Sequence, residues 1–293
     1  MKKLLVICGP TATGKTALAT RLAKKFNGEL VSADSRQVYK YMDIGTGKDI
    51  KKYGHILGYD LVRPDEEFSV SQYVNFANSA IRKIYSQNKL PILVGGTGLY
   101  IKAVVDNLDR IGIPRNLKLR KKLSTKTIEE LFAALMKISP VEALKLNSSD
   151  RANPRRLVRL LEVLNYGEAP ASAAESLQFD DVLWVGLRAS AKELKKRIVK
   201  RVDERIKSGF EKEVEFLKQK DFFKYAPSVT LGYKDWPDTE KWKREEFKYA
   251  KRQITWFKKD KRIKWFDVSK KDYGGKIEKL VKKWHNIQNA KEN

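Results

Sequence analysis

Short apolar runs alternate with amphipathic segments along the first third of the chain. Such runs are typical of buried strands, and apolar residues recurring every three to four positions predict helices. The predicted strands are residues 4–8, 29–33 and 91–94, and the predicted helices are residues 16–25, 69–87 and 99–105. Because strands that alternate with helices build parallel sheets with helices on their faces, this part is expected to be α/β.

The middle of the chain has helical periodicity only. Its predicted helices are residues 117–123, 127–137, 141–146 and 153–164, and Pro114, Pro140 and Pro154 interrupt the pattern. An apolar run at residues 182–187 returns to the sheet, and further helices are predicted at residues 191–208, 211–218 and 243–259 and from Lys276 onwards. We therefore expect a core of residues 1–110 and 181–293 with a helical, basic C-terminal region, and a small all-helical insertion at residues 111–180.

The first predicted strand leads directly into a glycine-rich loop. The loop matches G-x-x-x-x-G-K-[ST], the phosphate-binding P-loop, with Gly9, Pro10, Thr11, Ala12, Thr13, Gly14, Lys15 and Thr16. Its glycines let backbone N–H groups turn inward around a diphosphate, Lys15 adds positive charge, and the Thr16 hydroxyl can reach a Mg²⁺ ion. The core is therefore expected to be P-loop NTPase-like and to bind a polyphosphate or pyrophosphate at the positive end of a helix.

Polar residues also follow the other predicted strands. Asp34 stands after the second strand, and the sequence Gly-Gly-Thr-Gly at residues 95–98 follows the third. Because ligands of α/β sheets bind at the carboxyl ends of the strands, Asp34 is placed to meet whatever lies on the phosphates. The alternative is an aspartate that caps a helix. Residues 42–48 form a glycine-broken loop that could close on a ligand.

Positive charge is concentrated in the later part of the chain. The net charge is +25, and residues 110–293 carry 45 basic and 26 acidic side chains, against 16 and 10 in residues 1–109. Residues 241–264 hold 11 basic and 3 acidic side chains, interleaved with Trp242, Phe247, Tyr249, Trp256 and Phe257. Cations mixed with aromatics suit unpaired RNA, and a lysine-rich adaptation to solubility is the alternative.

Other classes of protein are disfavoured by the composition. The single cysteine, Cys8, excludes an internal disulfide and a Cys-rich zinc module. No apolar run approaches the roughly 20 residues of a membrane span, and no signal-peptide pattern precedes the P-loop, so a cytoplasmic protein without membrane contact is expected. Arg197 and Arg201, four residues apart on a predicted helix, could clamp a diphosphate or form a solvated face.

Together these motifs closely resemble the bacterial tRNA dimethylallyltransferases. The similar segments, in the family's order, are residues 9–16, 32–39 (Ser-Ala-Asp-Ser-Arg-Gln-Val-Tyr), 42–46 (Met-Asp-Ile-Gly-Thr), 95–100, 153–159 (Asn-Pro-Arg-Arg-Leu-Val-Arg), 231–234 and 250–257. The resemblance implies that the P-loop holds the pyrophosphate of dimethylallyl diphosphate and does not hydrolyse ATP. It also implies transfer of the allyl group to the exocyclic amine of the adenine 3′ of the anticodon.

The resemblance further implies roles for individual residues. Asp34 is expected to be the general base or orienter of the amine, Thr11, Lys15, Arg201 and Arg197 to grip the pyrophosphate, and Thr16 to face Mg²⁺, the expected cofactor. The tRNA contacts expected in the core are Asp34, Ser35, Arg36, Gln37, Thr97, Lys251, Arg252, Gln253, Ile254, Thr255 and Trp256. Those expected in the insertion are Arg120, Arg155, Arg156, Leu157, Val158 and Arg159. The partners would be dimethylallyl diphosphate and the anticodon stem-loop of tRNA, bound by a monomer.

The chain departs from the family's pattern at three places. Residues 47–49 are Gly-Lys-Asp where Ala-Lys-Pro is usual, residues 232–235 are Gly-Tyr-Lys-Asp where Gly-Tyr-Arg-Gln is commoner, and residues 111–123 are only loosely similar. Three other functions share some of the features: a P-loop kinase of a small molecule or nucleotide, a non-enzymatic RNA-binding protein, and an isopentenyltransferase of free adenine nucleotides. The kinase would turn over ATP, and the last enzyme would not need the basic segments.

Overall fold

The computed structural model describes residues 1–48, 50–108, 111–166 and 177–286. Outside the described residues lie Asp49 and the parts of the predicted core and insertion at residues 109–110, 167–176 and 287–293. Within the described residues, parallel strands form one sheet in the order β2-β3-β1-β4-β5. The strands are β1 (Lys3–Cys8), β2 (Gly28–Ser32), β3 (Leu90–Gly95), β4 (Asp181–Arg188) and β5 (Lys264–Asp267). The predicted α/β class is confirmed.

Strand β5 is the one strand of this sheet that the apolar pattern does not predict. Its sequence, Lys-Trp-Phe-Asp, is half polar and lies in a basic segment. It pairs with β4 from Val185 beside Lys264 to Arg188 beside Asp267, and among the described strands it has no second neighbour. An edge strand exposes part of its surface, so it does not need a continuous apolar run.

Helices cover both faces of the sheet in the first part of the core. They are α1 (Lys15–Lys25), α2 (Ile50–Tyr53), α3 (Val70–Ser86) and α4 (Gly98–Val105). Leu4, Val6 and Cys8 of β1 pack with α3 and α4, whereas Leu5 and Ile7 pack with α1. The alternation follows from the period of two along a strand, and it explains why β1 is apolar from Leu4 to Cys8.

The insertion is a separate compact unit of residues 108–176. Its helices are α5 (Leu117–Leu123), α6 (Ile128–Ile138), α7 (Pro140–Leu144), α8 (Ser148–Arg151) and α9 (Pro154–Asn165), and its own core includes Leu131, Leu135, Leu157 and Leu161. The boundaries differ from the predicted 111 and 180. Leu177 is buried against the sheet and Phe179 packs beside it, so residues 177–180 belong to the α/β core.

The C-terminal region adds α10 (Ala191–Lys207), α11 (Phe210–Gln219), α12 (Ala226–Val229), α13 (Thr239–Phe257) and α14 (Tyr273–Asn286). The first four surround an aromatic core with Phe210, Tyr233 and Trp242, and α14 packs on the α1 face of the sheet. Helix α13 begins four residues before the predicted start at residue 243, because Asp238 accepts the N–H of Lys241 (2.8 Å) and caps it. None of the described helices is long and apolar enough to cross a membrane.

Candidate active site

The P-loop turns back between β1 and α1 through three residues with positive φ. These are Gly9 (134°), Ala12 (63°) and Gly14 (79°). A Cβ atom on Gly9 would lie 2.3 Å from the carbonyl oxygen of Leu187, so that only glycine fits there. The buried hydroxyl of Thr13 donates to the Pro10 carbonyl (2.8 Å) and fixes the shape of the loop from inside.

Lys15 is the first residue of α1, and its ammonium is influenced by the charges of Asp34 and Arg201. Its ammonium donates to the Pro10 carbonyl at 2.8 Å. Burial lowers the pKa of Lys15 to about 8, because desolvation disfavours the charged form; the negative charge of Asp34 opposes this shift and Arg201 adds to it. The charges of Lys15, Asp34 and Arg201 therefore act on one another within a single site.

Asp34 holds a tight turn at the end of β2. Its Oδ1 accepts the backbone N–H of Arg36 (3.0 Å), and the next helix, α2, begins only at Ile50. The alternative reading of Asp34 as a helix cap is therefore excluded. Thr97 fixes the turn to the loop after β3, since its Oγ1 accepts the backbone N–H of Ser35 at 3.0 Å.

Two of the predicted tRNA contacts brace this turn through their side chains. Gln37 accepts from the Ser32 hydroxyl (2.8 Å) and donates to the Gly47 carbonyl (3.2 Å). The guanidinium of Arg36 lies 4.0 Å from the ring centre of Tyr249, on α13. Both residues thus connect the Asp34 turn to neighbouring segments, in addition to any role towards a substrate.

The loop after the turn is held by Glu213 of α11, which the sequence analysis did not single out. Its carboxylate accepts three successive backbone N–H groups at 2.8–3.0 Å, those of Asp43, Ile44 and Gly45. The hydroxyl of Tyr233 donates to the same carboxylate (2.6 Å). The Gly-Tyr motif at residues 232–233 is the sequence signal that leads to Glu213.

The fully buried Lys48 is the second support of this loop. Its ammonium donates to the carbonyl of Tyr39 (2.7 Å) and to the carboxylates of Asp43 and Asp60, each at 2.6 Å. A buried ammonium is tolerated only when it is paired and hydrogen-bonded, as it is here. The lysine that this chain shares with the family's Ala-Lys-Pro pattern therefore ties residues 39–48 to the segment around Asp60.

Gln253 is buried and hydrogen-bonded to the backbone of two loops of the core. It is 5% exposed, its Oε1 accepts the backbone N–H of Thr11 (2.8 Å), and its Nε2 donates to the Gly96 carbonyl (2.9 Å). Gln253 lies on the buried side of α13 and joins the P-loop to the loop after β3, and the tRNA contact predicted for this residue stays a prediction. The spacing of its buried residues, Trp242, Glu246, Ala250, Gln253 and Phe257, is the signal that would have revealed this side.

The opposite side of α13 keeps its basic character. Lys251, Arg252, Thr255 and Trp256 are exposed, and Ile254 is half-buried. Trp256 packs over Gly98 at the start of α4. The aromatic residues of this segment are mostly not available for stacking on bases: Trp242 and Phe257 are buried, and Lys251 and Arg252 lie over Phe247 and Tyr249.

The two arginines predicted to grip pyrophosphate differ in their surroundings. Arg197 pairs with Glu193 one turn earlier on α10 (2.6 Å), which is the arrangement of a solvated helix face. Arg201 points instead to the buried Glu246 of α13 (3.3 Å). Of the two, Arg201 is the arginine whose positive charge helps to lower the pKa of Lys15.

In the insertion, the predicted tRNA-binding segment is divided between surface and core. Arg155 and Arg156 are exposed, and Arg156 pairs with Asp150. Leu157 is fully buried and the half-buried Val158 packs against the same core, and the tRNA contacts predicted for these two residues stay predictions. Amphipathic periodicity explains why the segment is divided, because a run of helical residues cannot all lie on one face.

Arg120 and Arg159 meet at the buried carboxylate of Glu162. Arg120 binds it through Nε and Nη2 (both 2.6 Å), and Arg159 through Nη1 (3.4 Å) while its Nη2 donates to the Ile113 carbonyl (2.8 Å). Burial opposes the ionisation of Glu162, but the hydrogen bond from Arg120 is among the contacts that outweigh it and hold the pKa below its ordinary value. The two arginines therefore hold the insertion together.

We expect Glu162→Gln to destabilise the insertion by about 3 kcal/mol, because two guanidinium groups lose the buried charge that pairs with them. Hydrogen exchange of the α9 amides would measure the change, and Glu129→Gln, on an exposed helical turn, should leave it unaltered. Because the pKa of Glu162 is lowered on folding, its contribution is present above about pH 4.3 and is lost as the pH falls through the folded value. Unchanged exchange in Glu162→Gln would show that the pair adds nothing to stability.

The site offers few protein ligands to a metal ion. Across the described residues, no three His, Cys, Asp or Glu side chains cluster as a metal site. Thr16, half-buried in the first turn of α1, provides a hydroxyl. This donor set fits Mg²⁺, which is commonly held by one or two protein oxygens together with substrate phosphates and water.

Comparison with known proteins agrees with this geometry. The chain matches the IPP transferase family over residues 37–260 and the isopentenyl transferase family over residues 2–53. A tRNA dimethylallyltransferase of Halothermothrix orenii is 41% identical, over 96% of this chain and 92% of the relative. One of Carboxydothermus hydrogenoformans is 38% identical, over 96% of each chain.

Solved structures give the same result. The tRNA isopentenylpyrophosphate transferase of Bacillus halodurans is similar with a TM-score of 0.69 and 31% identity, over 96% of each chain. A eukaryotic dimethylallyltransferase acting on tRNA has a TM-score of 0.78 and 26% identity, over 99% of this chain and 80% of that one. The sheet and its phosphate-binding loop define a P-loop NTPase-like protein. The chain belongs to the tRNA dimethylallyltransferase family.

Proposed function

We propose that this protein transfers the dimethylallyl group of dimethylallyl diphosphate to the exocyclic amine of the adenine 3′ of the anticodon in tRNA, releasing pyrophosphate, and that it acts as a monomer. The observation that carries the proposal is that the P-loop with Lys15 follows β1 and the Asp34 turn follows β2 at the same carboxyl edge of the parallel sheet, where the charges of Asp34 and Arg201 act on Lys15. A phosphate site next to a carboxylate supplies what an alkyl transfer from a diphosphate requires. Sequence identity of 38–41% to named tRNA dimethylallyltransferases supports the choice of substrates.

The reaction forms a C–N bond and breaks a C–O bond. The adenine amine is a weak nucleophile because its lone pair is delocalised into the ring, and Asp34 would accept its proton as the C–N bond forms. The departing diphosphate gains negative charge, which Lys15, Arg201 and the N–H groups of the P-loop would stabilise. Mg²⁺ held at Thr16 would neutralise further charge on the diphosphate oxygens. The adenine would have to leave its stack to reach this buried centre.

The exposed cations would bind the RNA backbone. In the core these are Lys251 and Arg252, and in the insertion Arg155 and Arg156. Phosphate contacts of this kind supply affinity and position, whereas the reacting base is selected within the active site. A kinase would have no use for these surfaces, and an enzyme acting on free adenine nucleotides would not need them either.

One experiment separates the proposed function from its alternatives. The protein is incubated with Mg²⁺ and labelled dimethylallyl diphosphate, together with either bulk tRNA or AMP as acceptor. Label in tRNA supports the proposal, label in AMP assigns the enzyme to free nucleotides, and acceptor-stimulated ATP hydrolysis without allyl transfer assigns it to the kinases. Binding of tRNA with neither reaction would indicate an RNA-binding protein that has lost its chemistry.

Reversing the charge of both Arg155 and Arg156 should flatten the plot of log tRNA affinity against log salt by about 1.5 units, because each phosphate contact releases slightly less than one counterion. The Michaelis constant for tRNA should rise and that for dimethylallyl diphosphate should not change. Arg159 is left intact because it binds Glu162 inside the insertion.

The charge-matched control is the double reversal of Lys137 and Lys145, which are also exposed in the insertion but lie outside the arginine-rich segment. It should leave the salt slope close to that of the wild type. If both double variants flatten the salt slope equally, the insertion contributes to tRNA binding only through its net charge. No effect of either would leave Lys251 and Arg252 as the RNA-binding surface.

A further inference from the structure

Three guanidinium groups converge on one buried carboxylate beside the P-loop. Glu246 of α13 is 1% exposed. Its carboxylate lies 3.3 Å from Arg201, 3.5 Å from Arg205 and 3.9 Å from Arg36. Arg201 and Arg205 are one turn apart on α10, and Arg36 lies two residues after Asp34. Glu246 therefore joins α10, α13 and the Asp34 turn.

The same side of α13 also holds the P-loop. Gln253, two turns after Glu246, binds the backbone of Thr11 and Gly96. Residues seven apart lie on the same side of a helix, so one rigid element fixes both the phosphate-binding loop and the arginines. Helix α13 thus contacts the P-loop through Gln253 and Arg201 through Glu246.

The arginines have more donors than Glu246 can satisfy. Each guanidinium has five N–H groups, whereas a carboxylate offers about four acceptor sites. The Nε–H of Arg205 is buried without a hydrogen-bond partner among the described residues. Burial opposes the ionisation of Glu246, but Arg201, Arg36 and Arg205 outweigh it and hold its pKa below the ordinary value. The carboxylate is therefore charged, and the cluster keeps an excess of positive charge and of donors.

We propose that Glu246 is a positioning residue for the diphosphate: it aligns Arg201, with Arg205 and Arg36 behind it, so that the Arg201 guanidinium meets the phosphates held by the P-loop. The effect of Glu246 on the rate of allyl transfer rests on the proposed function. Its effect on pyrophosphate affinity does not. An unpaired arginine would adopt many rotamers, and ordering it only when the ligand binds would weaken binding. Pairing with a fixed carboxylate removes that cost beforehand.

The test is a double-mutant cycle on pyrophosphate affinity, measured by calorimetry with Glu246→Gln, Arg201→Ala and the double variant. We expect Glu246→Gln alone to weaken pyrophosphate binding about tenfold. In the Arg201→Ala background the same change should have less than a twofold effect, because a residue that acts through Arg201 has nothing left to align. Glu246→Asp, which keeps the charge, should recover part of the affinity and can replace Glu246→Gln if the latter does not fold.

The matched control is Glu245→Gln, since Glu245 precedes Glu246 but pairs with Lys248 (2.8 Å), away from the cluster. It should bind pyrophosphate like the wild type. Three results would overturn the positioning role of Glu246. The first is additive effects of the two substitutions in the cycle, and the second is tighter pyrophosphate binding by Glu246→Gln, as expected of a carboxylate that merely repels the anion. The third is unchanged pyrophosphate affinity in Glu246→Gln together with a lowered melting temperature. In the transfer assay, kcat should fall together with affinity in Glu246→Gln. If the wild type transfers no allyl group, the proposed function is refuted. The double-mutant cycle on pyrophosphate affinity would still test whether Glu246 positions Arg201.

Discussion

Replacing Asp34 by asparagine should lower the single-turnover rate of allyl transfer by about 10²- to 10⁴-fold, the range expected when a general base is lost. Asparagine is nearly isosteric and retains an oxygen that can accept the N–H of Arg36, so the turn after β2 should keep its shape. Binding of tRNA should therefore change little, and so should binding of pyrophosphate at a pH well below the pKa of Lys15, where that lysine stays charged without the support of Asp34. Rapid-quench assays with enzyme in excess over labelled tRNA measure the chemical step directly.

The control for this variant is Asp65→Asn, which removes an exposed carboxylate paired with Arg63. It should react at the wild-type rate. A near-normal single-turnover rate in Asp34→Asn would remove Asp34 from the chemistry and leave it as a residue that shapes the turn. A loss of pyrophosphate binding equal to the loss of rate would point to a disturbed P-loop instead, because Lys15 senses the charge of Asp34.

The sheet and the phosphate loop were predictable because their signals are local. Continuous apolar runs form the centres of β1, β3 and β4, and the P-loop motif specifies its own backbone conformation. Asp34 was also predictable, since a polar residue at the end of a buried parallel strand lies at the edge where ligands bind. The short β5 escaped prediction because it lies at the edge of the sheet and its sequence, Lys-Trp-Phe-Asp, has no continuous apolar run.

The supports of the site were not predictable from local patterns. Glu213, Glu246 and Lys48 are charged residues that a sequence reading assigns to the surface, yet Lys48 and Glu246 are buried and paired across the fold. The motif at residues 250–257 identified Gln253, but it gave no sign of the hydrogen bonds from this side chain to the P-loop and to the loop after β3. A motif shows which residues belong together, and only the three-dimensional arrangement shows whether they contact a substrate or the loop that binds it.

Lys15→Ala should weaken the capture of dimethylallyl diphosphate and slow the departure of pyrophosphate, with a loss of about 10²- to 10³-fold in kcat/KM, comparable to the removal of one donor that stabilises transition-state charge. ATP should be neither consumed nor required. In the wild type the Lys15 ammonium donates to Pro10, and burial holds its pKa near 8. Diphosphate needs the charged form of this lysine. Its affinity for the wild type should therefore be full below about pH 8 and should fall as the pH rises through that value.

The alanine variant provides the comparison that isolates this effect, because it has no lysine to titrate at this position. Its weak binding of pyrophosphate should lack the decline near pH 8, whereas Lys24→Ala, which removes an exposed lysine in the last turn of the same helix, should retain both the affinity and the decline. Parallel pH profiles of the wild type and Lys15→Ala would mean that the decline belongs to the ligand and that Lys15 does not bind it. If the wild type binds pyrophosphate more tightly than Lys15→Ala below about pH 8 and the difference in affinity disappears above it, the Lys15 ammonium is the cation that holds the diphosphate.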